Sequence, residues 1–281
     1  MVSIKMALQT IIINLKITSL GKSLNDKLKV LICLSYNQFR NSITGRLFPH
    51  IVNALHPKIN KLADGIMLKF DGMLVKTIDL ESIGTFTPFD EPWIWDYFKP
   101  KKGDVFIDIG AHLGKYSLIA AKIVGKLGKV IAIEANPENY RRLLENVKIN
   151  SLTDIITTFN VAAYDKKTKV SLYIGDASGE HSIIFNVGKK WYNIDAIPVD
   201  HVVKHLKLKK VDWIKIDVEG AEYEVLQGLK NTLRRFRPKL IVEIHRKKRE
   251  VLNFMSKLGY RYEVINPEGD YYFFWWEGHK T

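Results

Sequence analysis

The sequence predicts an α/β fold: a mostly parallel, seven-stranded sheet covered by helices on both faces, preceded by a helical and β-hairpin extension. Three observations predict it. From residue 104 onward, apolar strand patterns alternate with helical ones, the order that builds a parallel sheet. The last two strands, 260–265 and 271–276, are separated only by residues 266–270, so they form an antiparallel hairpin at the sheet edge. Residues 104–114, DVFIDIGAHLG, join a strand to a helix through a glycine-bearing turn.

Residues 1–85 make up the extension and 86–281 the sheet domain. Within the extension, residues 1–61 read as two or three helices with poor periodicity, broken near Gly21 and at His56 and Pro57. Residues 66–76 alternate apolar and polar side chains around Asp71 and Gly72, a hairpin signal. Asp90 is placed to cap a helix over 91–98, with Pro92 in its first turn. Strands are predicted at 104–109, 129–134, 155–160, 211–217 and 239–244, ahead of the closing hairpin. Helices at 114–124, 137–149, 200–206, 222–233 and 247–258 connect them. Between 160 and 200 the period changes to short alternating runs, 169–174 and 182–185, which read as an inserted β-rich excursion near the site.

Composition narrows the class. A chain of 281 residues, 46% hydrophobic, can bury the core of one α/β domain plus a smaller appendage. The single cysteine, Cys33, excludes an internal disulfide framework and fits a reducing compartment; its apolar neighbours mark it as a core residue. No segment approaches the roughly 20 apolar residues of a membrane span. The first twenty residues are interrupted by Lys5, Gln9, Thr10, Asn14 and Lys16 and lack the pattern of a signal peptide. The expected location is cytoplasmic, with a membrane-peripheral place left open.

The net charge of +13 is uneven. Residues 1–61 carry seven lysines and two arginines against one acid, Asp26. Such a leader can meet anionic lipid, nucleic acid or an acidic substrate, or it can be a helical cap whose lysines are simply solvated. There is no zinc-finger spacing, aromatic RNA-binding signature or Arg-rich tract, so the sequence argues against nucleic acid.

The turn after the first strand reads D-x-G-x-x-x-G, from Asp108 through Gly110 and Ala111 to Gly114, and the second strand ends in Glu134. Glycines let backbone approach a ligand, and an acid at the second strand tip accepts hydrogen bonds from ribose hydroxyls. The dinucleotide fingerprint instead cradles a pyrophosphate on bare backbone N–H groups. Here Asp108 precedes the first glycine, and an anion there suits a positively charged ligand. S-adenosylmethionine fits, with a sulfonium, an α-amino group, a ribose and no phosphate.

Residues 104–118 (DVFIDIGAHLGKYSL), 131–150 (IAIEANPENYRRLLENVKIN) and 211–228 (VDWIKIDVEGAEYEVLQG) resemble the FkbM family of S-adenosylmethionine-dependent methyltransferases, and 237–243 (RPKLIVE) fits the same pattern. The resemblance covers residues 86–265, and its most specific part is 215–222, KIDVEGAE. It implies a Rossmann-like class I methyltransferase fold with a reversed last strand. It also implies O-methylation of hydroxyls on sugars, glycans or secondary metabolites. The first hundred residues and 175–195 are not explained by it and are the parts that would choose the acceptor.

In open α/β sheets, ligands sit beyond the carboxyl ends of the strands at the switch point. The first strand brings Asp108 and Gly110, with Tyr116 on the next helix toward the carboxylate end of the cofactor. The second brings Glu134 and Asn136; the third ends at Asn160, Val161 and Ala162, placed to frame the adenine. The fourth brings Asp217 and Glu219. Asp217 is the leading candidate at the methyl end, to hold the cofactor amine or accept the acceptor's proton. Glu219 and Glu222 also fit as charges favourable to a helix N-terminus. Glu243 and His245 stand two apart on one face of the fifth strand and are the other candidate bases. A divalent metal on Asp217, Glu243 and His245 is the lesser alternative, and no metal is expected. His112 reads as packing or a backbone contact, and His181 as either a substrate contact or a plain loop residue. Trp93, Trp95 and Tyr97 read as core or as a roof for the acceptor.

The expected reaction is S-adenosylmethionine-dependent O-methylation of a sugar, glycan, lipid-linked glycan or small metabolite. One rival is an RNA methyltransferase. Against it, residues 217–220, DVEG, replace the proline-aromatic tetrapeptide typical of amino-group methylation on bases. The other rival is a non-catalytic module that binds S-adenosylmethionine.

Overall fold

The computed structural model describes residues 2–175, 177–186 and 190–278. The chain divides into two compact units, Met1–Asp90 and Glu91–Thr281.

The first unit holds helices α1 (Val2–Ser19), α2 (Leu24–Asn41), α3 (Ile43–Leu47) and α4 (Pro49–Ala63), a hairpin of β1 (Met67–Phe70) and β2 (Met73–Lys76), and α5 (Leu80–Thr85). Gly21 ends α1 by bridging to Leu68, and Ser23 then starts α2 through a capping box with Asp26. Asp71 and Gly72 both have positive φ, as a two-residue hairpin turn of this twist requires. Four helices stand where two or three were expected, and Pro57 does not break α4. The proline removes the bond to the Asn53 carbonyl, but both residues are exposed, so water takes that carbonyl. Next to it, His56 is tied to α2 by the Tyr36 hydroxyl at 3.1 Å.

The second unit begins with a short α6 (Ile94–Tyr97), followed by β3 (Val105–Ile109), α7 (Lys115–Val124), β4 (Lys129–Ile133), α8 (Pro137–Ile149) and β5 (Ile156–Phe159). An excursion of β6 (Ala162–Ala163), β7 (Thr168–Ile174) and β8 (Lys190–Ile197) follows. The chain returns through α9 (Val199–His205), β9 (Trp213–Ile216), α10 (Glu222–Gly228), α11 (Lys230–Phe236), β10 (Lys239–Glu243), α12 (Lys248–Lys257), β11 (Tyr260–Val264) and β12 (Tyr271–Trp276). The main sheet has the order β11-β12-β10-β9-β3-β4-β5. Only β12 is reversed, and it inserts between β10 and β11, one place in from the edge. This is the Rossmann-like class I methyltransferase architecture. Strands β3 and β9 lie side by side while the chain between them goes out through β4 and β5, so their carboxyl ends form the switch point.

Alternation along the strands gives the two faces different jobs. Ile107, Ile109, Ile214, Ile216, Leu240 and Val242 join one continuous apolar core. The other face carries Phe106, Trp213 and Phe273 low on the sheet, where Phe98 packs on Phe106 and Trp213. Above them the same period sets Asp108 opposite Lys215 in register, and Glu243 opposite Tyr271.

Three local expectations change. The excursion strand lies at Lys190–Ile197 rather than at 182–185, where only Ser182 bridges to Tyr173. Along β8 only Ile194 and Ala196 are buried, so its apolar period is too weak to stand out. The helix expected over 222–233 is two helices meeting at Leu229, whose φ of −104° and ψ of 0° depart from regular helix values, just after Gly228, where the Tyr164 carbonyl leaves no room for a Cβ. The helix expected over 91–98 shrinks to four residues without an Asp90 cap, since Glu91 takes a left-handed φ of 50°.

Candidate active site

Buried charge gathers at the carboxyl ends of β3, β9 and β10. Lys215 points from a strand otherwise made of apolar residues and is 3% exposed. Its ammonium lies 2.7 Å from Asp217 Oδ2 and 4.6 Å from the centre of the Tyr116 ring. Asp217, two residues on and on the same face, keeps 26% of its side chain open. Burial alone would raise the Asp217 pKa, but the Lys215 charge and a hydrogen bond from Glu243 more than offset this and hold it below the usual carboxylate range. Glu243 moves the other way: burial first, then the Asp217 charge, pushes it up to about 9. The two carboxyls therefore titrate as a pair, with Asp217 the stronger acid and Glu243 the weaker.

His245 stands 3.5 Å from Glu222, 3.5 Å from Glu243 and 3.6 Å from Glu219. Its hydrogen bond to Glu222, opposed by burial and helped by the Glu243 and Glu219 charges, raises it to about 9. It is an imidazolium at neutral pH and has no lone pair to accept a proton. Glu222 is fully buried at the start of α10 and accepts the Gly220 N–H at 2.6 Å. Glu219 sits in the β9–α10 turn at φ 52°, and its carbonyl accepts the Ser182 hydroxyl at 2.6 Å. The Phe185 ring lies where a Gly220 Cβ would be, which fits that glycine's φ of 104° to the turn.

The network extends to residues that sequence reasoning did not assign. Glu91 accepts from the Lys115 ammonium at 2.9 Å and from the Tyr116 hydroxyl at 2.5 Å. The Tyr271 hydroxyl bridges Glu91 and Glu243, 2.8 Å from Glu243 Oε2. Burial would raise Glu91, but the Lys215 and Lys115 charges outweigh it and leave Glu91 below its ordinary range. Lys215 carried a signal in the sequence, a charged residue inside WIKID with an acid two positions on. Glu91 carried none, because its partners lie far along the chain.

The cofactor candidates fall into two groups. Asp108, Glu134 and Asp217 end three adjacent strands. Asp108 is 1% exposed and accepts the Ser117 hydroxyl at 2.6 Å; burial lifts it to about 6. Glu134 accepts the backbone N–H groups of His112 and Asn136 at 2.7 and 2.8 Å, and burial lifts it to about 7. Buried carboxyls held this far above their ordinary range suit a cationic ligand, which would relieve them.

The other candidates also make contacts within the chain. Gly110 and Ala111 donate to the Ile133 carbonyl, and a Cβ on Gly110 would sit 1.7 Å from the Asp217 carbonyl. Its glycine character thus lets β3 and β9 close at the switch point. Gly114 takes a left-handed φ of 99° as the cap of α7. Tyr116 spends its hydroxyl on Glu91 and stacks on Trp95. Asn136 caps α8 through its side-chain oxygen, and Asn160 braces the Glu134 and Ala135 carbonyls. Ala162 is buried in β6 with Leu172, Ile194 and Ala196. His112 meets Ser178 at 2.8 Å, and His181 Nδ1 accepts the Gly175 N–H at 3.2 Å. Trp93 and Tyr97 pack on Tyr271 and Phe273 in the aromatic layer. Among the described residues, no group of three or more His, Cys, Asp and Glu side chains has an arrangement that could hold a metal ion.

The sequence model of the methyltransferase FkbM domain matches residues 108–262, more than half of the chain. The chain belongs to the FkbM methyltransferase family. The FkbM match spans the glycine turn, Glu134, the KIDVEGAE segment and the β10 end, so the resemblance read from those motifs holds. Among curated proteins, the chain is 29% identical over 145 residues to hexuronic acid methyltransferase AglP of Haloferax volcanii, covering 52% of this chain and 57% of that one. It is 30% identical over 117 residues to tRNA (guanine(37)-N(1))-methyltransferase of Aedes aegypti, covering 41% of this chain and 20% of that one. The chain thus spans just over half the length of the first relative and a fifth of the second. Among solved structures it is similar to methyltransferase FkbM from Methylobacillus flagellatus KT, with a TM-score of 0.48, 14% identity, and coverage of 95% of this chain and 59% of that one.

Proposed function

We propose that this FkbM family member transfers a methyl group from S-adenosylmethionine to a hydroxyl oxygen of a sugar, glycan, lipid-linked glycan or small metabolite. The observation that carries the reading is Asp217 at the switch point, partly open, 2.7 Å from the buried Lys215 ammonium and held by it below the usual carboxylate range. S-adenosylmethionine, when bound, supplies an electrophilic methyl carbon on a sulfonium. Glu134 would hold the ribose, and Asp108 with the other carboxyls would balance the cofactor's positive charge. Asp217 accepts the proton of the attacking hydroxyl as the new bond forms. Lys215 keeps Asp217 ionised, and Glu243 keeps its proton and orients it. A saccharide acceptor accords with the relative named as a hexuronic acid methyltransferase.

The test is incubation with methyl-labelled S-adenosylmethionine and separate saccharide, glycolipid and tRNA fractions, followed by mass spectrometry. The expected result is label on a saccharide hydroxyl. Label confined to tRNA bases would replace this reading with RNA methylation. Chelation with EDTA is expected to leave turnover intact, because a metal at Asp217, Glu243 and His245 would first have to displace two protons held up to about pH 9. Loss of turnover restored by Mg²⁺ would make those three residues ligands instead.

A further inference from the structure

Helices α1, α2 and α4 each carry an apolar stripe that stays exposed. On α2, Val30, Cys33 and Tyr36 form the buried face. Leu24, Leu28, Leu31 and Ile32 recur at i, i+4, i+7 and i+8 on the opposite face and are all exposed. On α1, Ile11 and Leu15 stand one turn apart beside an exposed Ile12, while Ile17 is buried. At the start of α4, Ile51 and Leu55 stand one turn apart and are exposed, as are Leu47 at the end of α3 and Phe48 between the two helices. Among the described residues, twelve of the twenty-one exposed large apolar side chains fall within residues 11–55, so the helical unit carries more of them than the usual scatter.

Its charge has one sign. Lys16, Lys22, Lys27, Arg46 and Lys58 are exposed on the same helices or next to them. The single acid among residues 1–61, Asp26, is occupied by Ser23 and the Met67 N–H. The stripes are Ile and Leu with one aromatic, Phe48, whereas protein interfaces favour Tyr, Trp and Arg and are depleted in lysine. Among the described residues, no helix is long and apolar enough to cross a membrane. Aliphatic stripes bordered by lysine fit a helix that lies in the plane of a lipid headgroup layer.

We propose that this helical unit docks on an anionic membrane surface, with the stripes of α1, α2 and α4 entering the headgroup region and the flanking lysines and arginine meeting lipid phosphates. The proposal does not depend on the reaction assigned to the sheet domain. The test is sedimentation of the full-length protein with vesicles of phosphatidylcholine alone or mixed with phosphatidylglycerol. Partition onto the mixed vesicles is expected to exceed that onto the neutral ones by at least about tenfold and to fall as salt is raised. The double variant Leu28→Gln/Ile51→Gln should lose about tenfold of that partition while keeping its unfolding midpoint. Lys27→Glu/Lys58→Glu, which leaves every apolar contact in place, should lose binding to the mixed vesicles only. Equal partition onto both vesicle types would overturn the proposal. So would a wild-type dimer that Leu28→Gln/Ile51→Gln converts to monomer, since the stripes would then cover a second copy of the chain.

Discussion

Asp217→Asn lowers kcat at least about 100-fold, the low end for a positioned acid–base group, while cofactor affinity changes far less. The substitution keeps the size and removes the proton-accepting oxygen that Lys215 holds in its charged form. If Asp217 only anchored the cofactor amine, affinity would weaken and kcat at saturation would survive. His245→Ala separates the rival bases. His245 holds its proton up to about pH 9, so a reaction driven by it would climb in rate toward that pH. With Asp217 as base, the rate is already at its plateau near neutrality, because its pKa lies below the usual carboxylate range. A large kcat loss in His245→Ala beside a near-normal Asp217→Asn would move the base to the end of β10.

Lys215→Met destabilises the ligand-free protein by about 3–5 kcal/mol at neutral pH, the usual effect of removing one member of a buried ion pair. It leaves Asp217 and Glu91 without the cation that holds both below their ordinary pKa values. Those depressed values add stability that is fully present above the unfolded carboxylate pKa and is lost as pH falls through the folded values. Without Lys215, burial raises Asp217 while Lys115 still holds Glu91, so the variant's native state takes up a proton at Asp217 and recovers as pH falls toward about 4. Urea unfolding at neutral and acid pH should therefore show a gap that narrows on acidification. Equal stability of the two proteins at neutral pH would mean that Lys215 is not what holds this cluster together.

The sheet was legible because its signals are local. The strand at Val105–Ile109 and its partner at Lys129–Ile133 are short apolar runs bounded by turn residues, and the closing hairpin is fixed by its loop length. Asp108, Glu134, Asp217 and Glu243 were legible as strand-end acids, since the fold class says which ends matter. Their protonation was not legible, because it depends on which charges burial brings together. Lys215 sets the charge on Asp217 from two residues back on the same face of β9, and Glu91 reaches the cluster from a turn whose left-handed residue has no sequence signature. Gly110, expected to let backbone approach a ligand, also makes room for the Asp217 carbonyl; a glycine pattern shows that something comes close, not all that does. The strand at Lys190–Ile197 escaped notice because only two of its side chains are buried well enough to mark a face.

Calorimetric titration of the full-length protein with S-adenosylmethionine at neutral pH, repeated in buffers of different ionisation enthalpy, tests the central claim most directly. The account predicts binding at one site, at least about tenfold tighter than that of NAD, a difference of about 1.4 kcal/mol. Net proton release is also expected, because a cation placed beside Asp108 and Glu134 lowers carboxyl pKa values that otherwise stand at about 6 and 7. Absence of binding, NAD binding as tightly, or binding with proton uptake would contradict it.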